Sequence, residues 1–222
     1  KNVIVHRGKL LVRGVLGGKD YTEKLDFGPT MYVLSQKESE YKTLQGQNLK
    51  EIKFNSIDSA RKFKREVATA NSPIFGLERY HYQYIGTEFP DQIQWSKDHI
   101  KIFTLDIEST CENGFPDVEN PVEEILCITV KNQSNKQIIT WGTGEFKTDR
   151  PDVTYIKCKS EKSLIMEFMK FWIKNYPDII TGWNTKFFDI PYLMNRICHI
   201  VDEKVIKRFS PWNLVERESI VV

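Results

Sequence analysis

The chain has 222 residues and a formal net charge of only +2. That is enough for one large domain or two small ones with real cores, and the charge gives at most a mild lean towards polyanions. No apolar run reaches membrane-spanning length and the N-terminus lacks the charged-then-apolar design of a signal peptide, so no membrane partner is expected.

Cys111, Cys127, Cys158 and Cys198 are widely spaced and form no Cys-x-x-Cys. This favours reduced, isolated thiols in a cytoplasmic compartment over zinc or a disulfide framework. His6, His81, His99 and His199 form no metal spacing either. A start at Lys1 and an apolar ending, Ile220-Val221-Val222, read as a fragment of something longer.

From the N-terminus, Val3-Ile4-Val5 and Leu10-Leu11-Val12 read as strands, Gly17-Gly18-Lys19-Asp20 as a turn, and Tyr21 to Phe27 as the returning strand. Gly18-Lys19 is no phosphate loop, because the upstream glycine is missing and Asp20 stands where Ser or Thr is needed. Ile57, Ala60, Phe63, Val67 and Ala70 recur at helical spacing, with Asn55 or Ser56 as cap and Pro73 beyond the end. The other face carries Arg61, Lys62, Lys64 and Arg65, either a solvated surface or a contact for backbone phosphates. Ser59-x-x-Lys62 matches a penicillin-binding signature by letter only. Tyr80, Tyr82 and Tyr84 alternate along Leu77 to Ile85; on a strand they would line one face, stacking unpaired bases or packing under a helix. Residues 1–98 thus read as a small α+β domain, with the polar Asp91 to Asp98 marking the crossing into residues 99–222.

The second half opens on Ile100-Lys101-Ile102-Phe103-Thr104-Leu105-Asp106-Ile107-Glu108. Strand alternation puts Thr104, Asp106 and Glu108 on one face and Phe103, Leu105 and Ile107 on the other. The two acidic Cα atoms would lie roughly 6–7 Å apart, close enough to share an oxygen-bound divalent ion. The alternative is that both acids sit at the solvated strand end. Cys111 to Pro116 is a loop by composition, and Asn132-Gln133-Ser134 is a formal glycosylation sequon without a secretory context. Glu124 to Lys131 and Gln137 to Trp141 follow as strands, making a meander with the acidic strand; Val153 to Ile156 is a further strand. Ser160 caps a helix with the stripe Leu164, Ile165, Phe168, Phe171 and Trp172, stopped by Tyr176-Pro177. Asp178 to Thr181 is then a parallel strand, and Gly182-Trp183-Asn184 turns the chain into a helix starting near Asp189, with Pro191 in its first turn. Ile190, Leu193, Met194 and Ile197 would face the core. Asp189 is either that helix's N-cap or a third metal-facing carboxylate, and spacing does not choose between them.

Phe103-Thr104-Leu105-Asp106-Ile107-Glu108 followed by Thr181-Gly182-Trp183-Asn184-Thr185-Lys186-Phe187-Phe188-Asp189-Ile190-Pro191-Tyr192 resembles the first and second exonuclease motifs of family B DNA polymerases. Asn195-Arg196-Ile197, Lys207 to Pro211, Pro29 to Tyr32 and the Phe54 to Lys64 segment bring the resemblance closer to the T-even bacteriophage type. It implies an α/β, ribonuclease-H-like 3′–5′ exonuclease domain, a mixed sheet flanked by helices, after the polymerase N-terminal domain. It further implies that Asp106, Glu108 and Asp189 bind two divalent cations, Mg²⁺ or Mn²⁺, with Glu108 also orienting the attacking water. Asn184, Phe115 and Phe188 would contact the bound strand end. Implied partners are primer-template and single-stranded DNA, RNA at the N-terminal domain, and replisome proteins. The family's later Tyr-x-x-x-Asp motif does not occur after Asp189, and no Asp-Thr-Asp polymerase motif is present. Weak or absent activity is therefore expected of these residues alone. The competing expectations are a non-catalytic nucleic-acid-binding module and a metal phosphohydrolase acting on small substrates.

Overall fold

Left-handed backbone at two points folds the start of the chain. Arg7 and Gly8 take φ of 46° and 75°, and Gly17 and Gly18 take 55° and 75°, the geometry of two-residue hairpin turns. These turns join β1 (Asn2–His6), β2 (Lys9–Leu16) and β3 (Lys19–Leu25) into an antiparallel meander, with His6 opposite Lys9 and Leu16 opposite Lys19. The third strand starts ahead of the expected Tyr21 because the turn uses only the two glycines. The computed structural model describes residues 1–70, 72–91 and 95–215, and the chain divides into Lys1–Trp95 and Ser96–Val222. Part of the expected crossing at Asp91 to Asp98 (residues 92–94) and the run Ile220 to Val222 lie outside the described residues.

In the first unit, β4 (Thr30–Leu34) pairs antiparallel with both β5 (Leu49–Lys53) and β6 (Ile74–Phe75). Helix α1 (Ile57–Thr69) begins at Ser56, whose hydroxyl accepts from the Ser59 amide while the Ser59 hydroxyl accepts from the Ser56 amide. That reciprocal cap satisfies two amides that a helix start leaves unpaired. Arg61, Lys62 and Lys64 are held by Asp58, Glu66 and Glu78 respectively, so most of the basic face is locally neutralised.

The tyrosine row is not a strand. Tyr80–Glu88 form helix α2, which puts Tyr80 and Tyr84 in the core and leaves Tyr82 exposed. Positions two apart share a face on a strand, but positions four apart also share a helix face, and that second reading is the one realised. The segment hid its helical character because Arg79 at the N-cap provides no side-chain cap. Instead the Gln83 side chain ties the helix to β4, accepting from the Thr30 amide at 2.9 Å and donating to the Thr30 carbonyl at 2.7 Å.

The second unit is built on a five-stranded mixed sheet. β7 (Ile102–Ser109), β8 (Ile125–Asn132) and β9 (Ile138–Gly142) form an antiparallel meander. β10 (Val153–Lys157) runs parallel to β9, and β11 (Ile179–Thr181) runs parallel to β7. The order across the sheet is β10-β9-β8-β7-β11, with α3 (Glu161–Asn175) carrying the chain from one edge to the other. Helices α4 (Asp189–Ile200) and α5 (Glu203–Lys207) follow. Phe103, Leu105 and Ile107 of β7 share one core with Leu164, Phe168 and Trp172 of α3 and with Leu193 and Ile197 of α4. Every acid of β7 is therefore on the opposite face. Asp202 is spent capping α5, its carboxylate accepting from the Lys204 amide at 2.7 Å.

Urea unfolding of variants will rank these contributions. Phe168 is fully buried, and Phe168→Ala should cost about 3–5 kcal/mol. Ser160→Ala, which removes the cap of α3, should cost about 1 kcal/mol.

Candidate active site

Asp106 and Glu108 project from β7 into solvent, flanked by buried Leu105 and Ile107. Across the ladder they stand opposite Thr129 and Cys127 of β8. Burial, then the Glu108 charge, pushes the Cys127 thiol up, which keeps it protonated and unreactive. A register shift between Glu108 and Ser109 ends regular pairing just past the acids, and such bulges bend a strand and re-aim its side chains.

The turn from β11 into α4 is drawn tightly onto β7. A Cβ on Gly182 would collide with Thr185 Oγ1 and the Leu105 carbonyl, so only glycine allows this approach. Asn184 takes φ of 56°, a left-handed conformation that asparagine tolerates, and its carbonyl accepts from the amides of Phe187 at 3.0 Å and Phe188 at 2.9 Å. Phe188, not Asp189, occupies the N-cap of α4.

Asp189 sits in the first turn, 3% exposed, and its Oδ1 accepts the Ile107 amide at 3.1 Å. Its carboxylate is thereby bonded to the residue between Asp106 and Glu108. Burial raises the Asp189 pKa above its ordinary value, and the charges of Asp106 and Glu108 add to that rise against the lowering by the Ile107 bond. No Lys or Arg pairs with these three acids among the described residues. The donor set is thus three hard oxygen ligands with a surplus of negative charge, which suits Mg²⁺ or Mn²⁺. Among the described residues no three His, Cys, Asp or Glu side chains already converge closely enough to hold a metal ion. Asp106 and Glu108, being exposed, are free to turn towards one.

The segment between β7 and β8 is anchored by charged side chains. Glu123, 3% exposed, accepts from the Thr110 hydroxyl, the Glu112 amide at 3.1 Å, the Asn113 amide at 2.7 Å and the Asn113 side chain at 2.9 Å. The Thr110 bond, then the Asn113 amide, lead in lowering its pKa to about 2. Next to it, Arg196 of α4 makes a two-pronged buried bond to Glu161 of α3, with both distances 2.8 Å. Its Nη1 group donates to the carbonyls of Pro121 at 2.8 Å and Val122 at 2.9 Å, while Glu161 also accepts the Ile125 amide at 2.8 Å.

This anchoring ends in a ladder of rings. Phe115, 86% exposed, lies 5.6 Å from Phe188, which stacks at 5.5 Å on Tyr192. The turn therefore brings Asp189 to the end of β7 that carries Asp106 and Glu108, and Phe188, next to Asp189 in the chain, has its ring between those of Phe115 and Tyr192. Asn184 is exposed on the same turn. Glu123, Glu161 and Thr185 were not singled out from sequence. An acid before a strand, or at a helix start, is ordinary, and only a contact far along the chain gives it a partner.

This arrangement lies within the stretch, residues 45–220, that matches the family model described as DNA polymerase family B, exonuclease domain. The chain belongs to that family. It is 28% identical over 228 residues to the DNA-directed DNA polymerase of Enterobacteria phage T4, covering 91% of this chain and 25% of that protein. The DNA-directed DNA polymerase of Escherichia phage RB69 is 24% identical over 221 residues, covering 87% and 24%. A DNA polymerase delta catalytic subunit of Dictyostelium discoideum is 37% identical over 137 residues, covering 54% and 12%. The chain spans about a quarter of the length of the two phage relatives.

Two measurements follow from the site's electrostatics. Thr185 is 6% exposed and its hydroxyl has no hydrogen-bond partner among the described residues. The isosteric Thr185→Val should therefore raise stability by about 1 kcal/mol in urea unfolding. Glu123 falls from an ordinary 4.5 to about 2 in the fold. Its clamp contributes fully above pH 4.5 and is lost as pH falls towards 2. Acid titration should show the stability gap between wild type and Glu123→Gln closing across that window.

Proposed function

We propose that residues 99–222 are the ribonuclease-H-like 3′–5′ exonuclease portion of a proofreading DNA polymerase of the T-even-phage type. The observation that carries this reading is the Asp189 carboxylate bonded to the Ile107 amide, between Asp106 and Glu108. Family membership supports the same reading, since exonuclease domains of this family are generally metal-dependent.

In this account Asp106 and Asp189 would hold the metal, and Glu108 would hold it too and orient the attacking water. Two divalent cations, Mg²⁺ or Mn²⁺, would supply the chemistry of an activated water and a stabilised leaving 3′ oxygen. Asp189 is pre-positioned by its bond to β7, and Asp106 and Glu108 complete the oxygen donors by rotation. Asn184 contacts the strand end at the left-handed turn. Phe188 and Phe115 present ring surface to the terminal bases. An opening that admits one unpaired 3′ end favours mismatched termini, because unpairing them costs less. Primer-template and single-stranded DNA are the substrates, with RNA at residues 1–98 and replisome proteins as further partners of the parent polymerase.

Calorimetry with Mn²⁺ tests the site directly. Binding to the wild-type chain, abolished in Asp106→Ala, is expected; no binding at all would favour a non-catalytic nucleic-acid module. Digestion of 3′-labelled single-stranded DNA should be weak, because no Tyr-x-x-x-Asp acid follows Asp189 in these residues. Rates typical of a complete polymerase would show that a fourth carboxylate is dispensable. Hydrolysis of a nucleotide ester in preference to an oligonucleotide would point to a small-substrate phosphohydrolase.

A further inference from the structure

Glu123 is a buried acid to which the nuclease reading gives no task. Its carboxylate binds Thr110, Glu112 and Asn113, at the start of the loop that leads to Phe115. Its own carbonyl accepts the Tyr192 hydroxyl at 2.7 Å. Tyr192 lies under Phe188, and Phe188 under Phe115. One residue therefore holds both ends of a closed circuit: loop, ring, ring, ring and back to the same backbone. The far arm of the loop is pinned separately, by the Asn195 side chain donating to the Val118 carbonyl at 2.7 Å.

A phenylalanine with 86% of its surface in water is costly to display. A free loop would let the ring fold away against apolar neighbours. Four acceptor bonds to one carboxylate remove that freedom. Fixing a ring before its ligand arrives lowers the entropy lost on binding.

We infer that Glu123 is a positioning residue that clamps residues 110–113 and so holds the Phe115 ring over Phe188, ready to stack the terminal base of a single-stranded DNA end. The ligand's identity rests on the nuclease reading; the role of Glu123 rests on the hydrogen bonds.

The test is a double-mutant cycle on the whole 222-residue chain. A single-stranded oligodeoxynucleotide carrying 2-aminopurine at its 3′ end is titrated in EDTA, which prevents hydrolysis. Phe115→Ala and Glu123→Gln should each weaken binding on the order of tenfold, the size of one base–aromatic stack. Each should also relieve the quenching of 2-aminopurine that stacking produces. The double variant should bind no more weakly than Phe115→Ala alone, because Glu123 acts only through that ring. Thr110→Val, which removes one clamp bond and leaves the carboxylate intact, should fall between wild type and Glu123→Gln. It makes the same comparison if Glu123→Gln fails to fold.

Additive losses, or a natively folded Glu123→Gln that binds and quenches like wild type, would overturn the assignment while leaving the nuclease reading in place. A wild-type chain that neither binds nor quenches the oligonucleotide would overturn the assignment alone, because EDTA removes the cations of the nuclease reading, which stands or falls by the Mn²⁺ calorimetry.

Discussion

Asp189 accepts the amide of Ile107, and this bond decides where α4 begins relative to β7. Its origin is a mismatch of strand lengths. β11 ends at Thr181, opposite Thr104, whereas β7 continues to Ser109. Beyond Thr104 the amides on that side of β7 have no strand to bond, and a buried amide without an acceptor is costly. A carboxylate at the first turn of a helix supplies the acceptor and also sits at the favourable end of the helix dipole. The same bond delivers a buried acid next to two exposed ones. Structural need and proposed chemistry meet in one side chain.

The loop between β7 and β8 follows the same logic. Its backbone bonds are made largely with side chains rather than with another strand: Glu123 accepts from amides, and Arg196 and Asn195 donate hydrogen bonds to carbonyls. The Arg196–Glu161 pair is tolerable in the interior because the two groups meet in a two-pronged bond and Arg196 Nη1 and Glu161 Oε1 make further hydrogen bonds to backbone. Strand β7, helices α3 and α4 and the loop are thus tied at one point, and the aromatic ladder stands on that point.

The first unit spends its side chains differently. Arg61, Lys62 and Lys64 are occupied by neighbouring acids, and Tyr80 and Tyr84 fill the core together with Leu10, Val12 and Met31. Of the two readings open for each feature, a structural role or a nucleic-acid contact, the structure shows local ion pairs on the basic face and core packing by two of the three tyrosines.

Alternation along Phe103 to Glu108, the apolar stripe of α3 and the Ser56 and Ser160 caps were legible directly, because each depends on residues within a few positions of one another. The resemblance of Asp106, Glu108 and the Asn184 to Asp189 run to a pair of motifs pointed to the site proposed above, and the fold brings Asp189 to the strand that carries Asp106 and Glu108. Local rules could not say whether Tyr80 to Tyr84 would be strand or helix, because the spacing satisfies both periods. Nor could they say whether Asp189 would cap its helix or face β7. That choice was made by an amide on Ile107, far off in the chain and left unpaired by the end of β11. Glu123 and Glu161 were invisible for the same reason: a carboxylate's role depends on the donors that surround it, and these came from segments that only folding brings together.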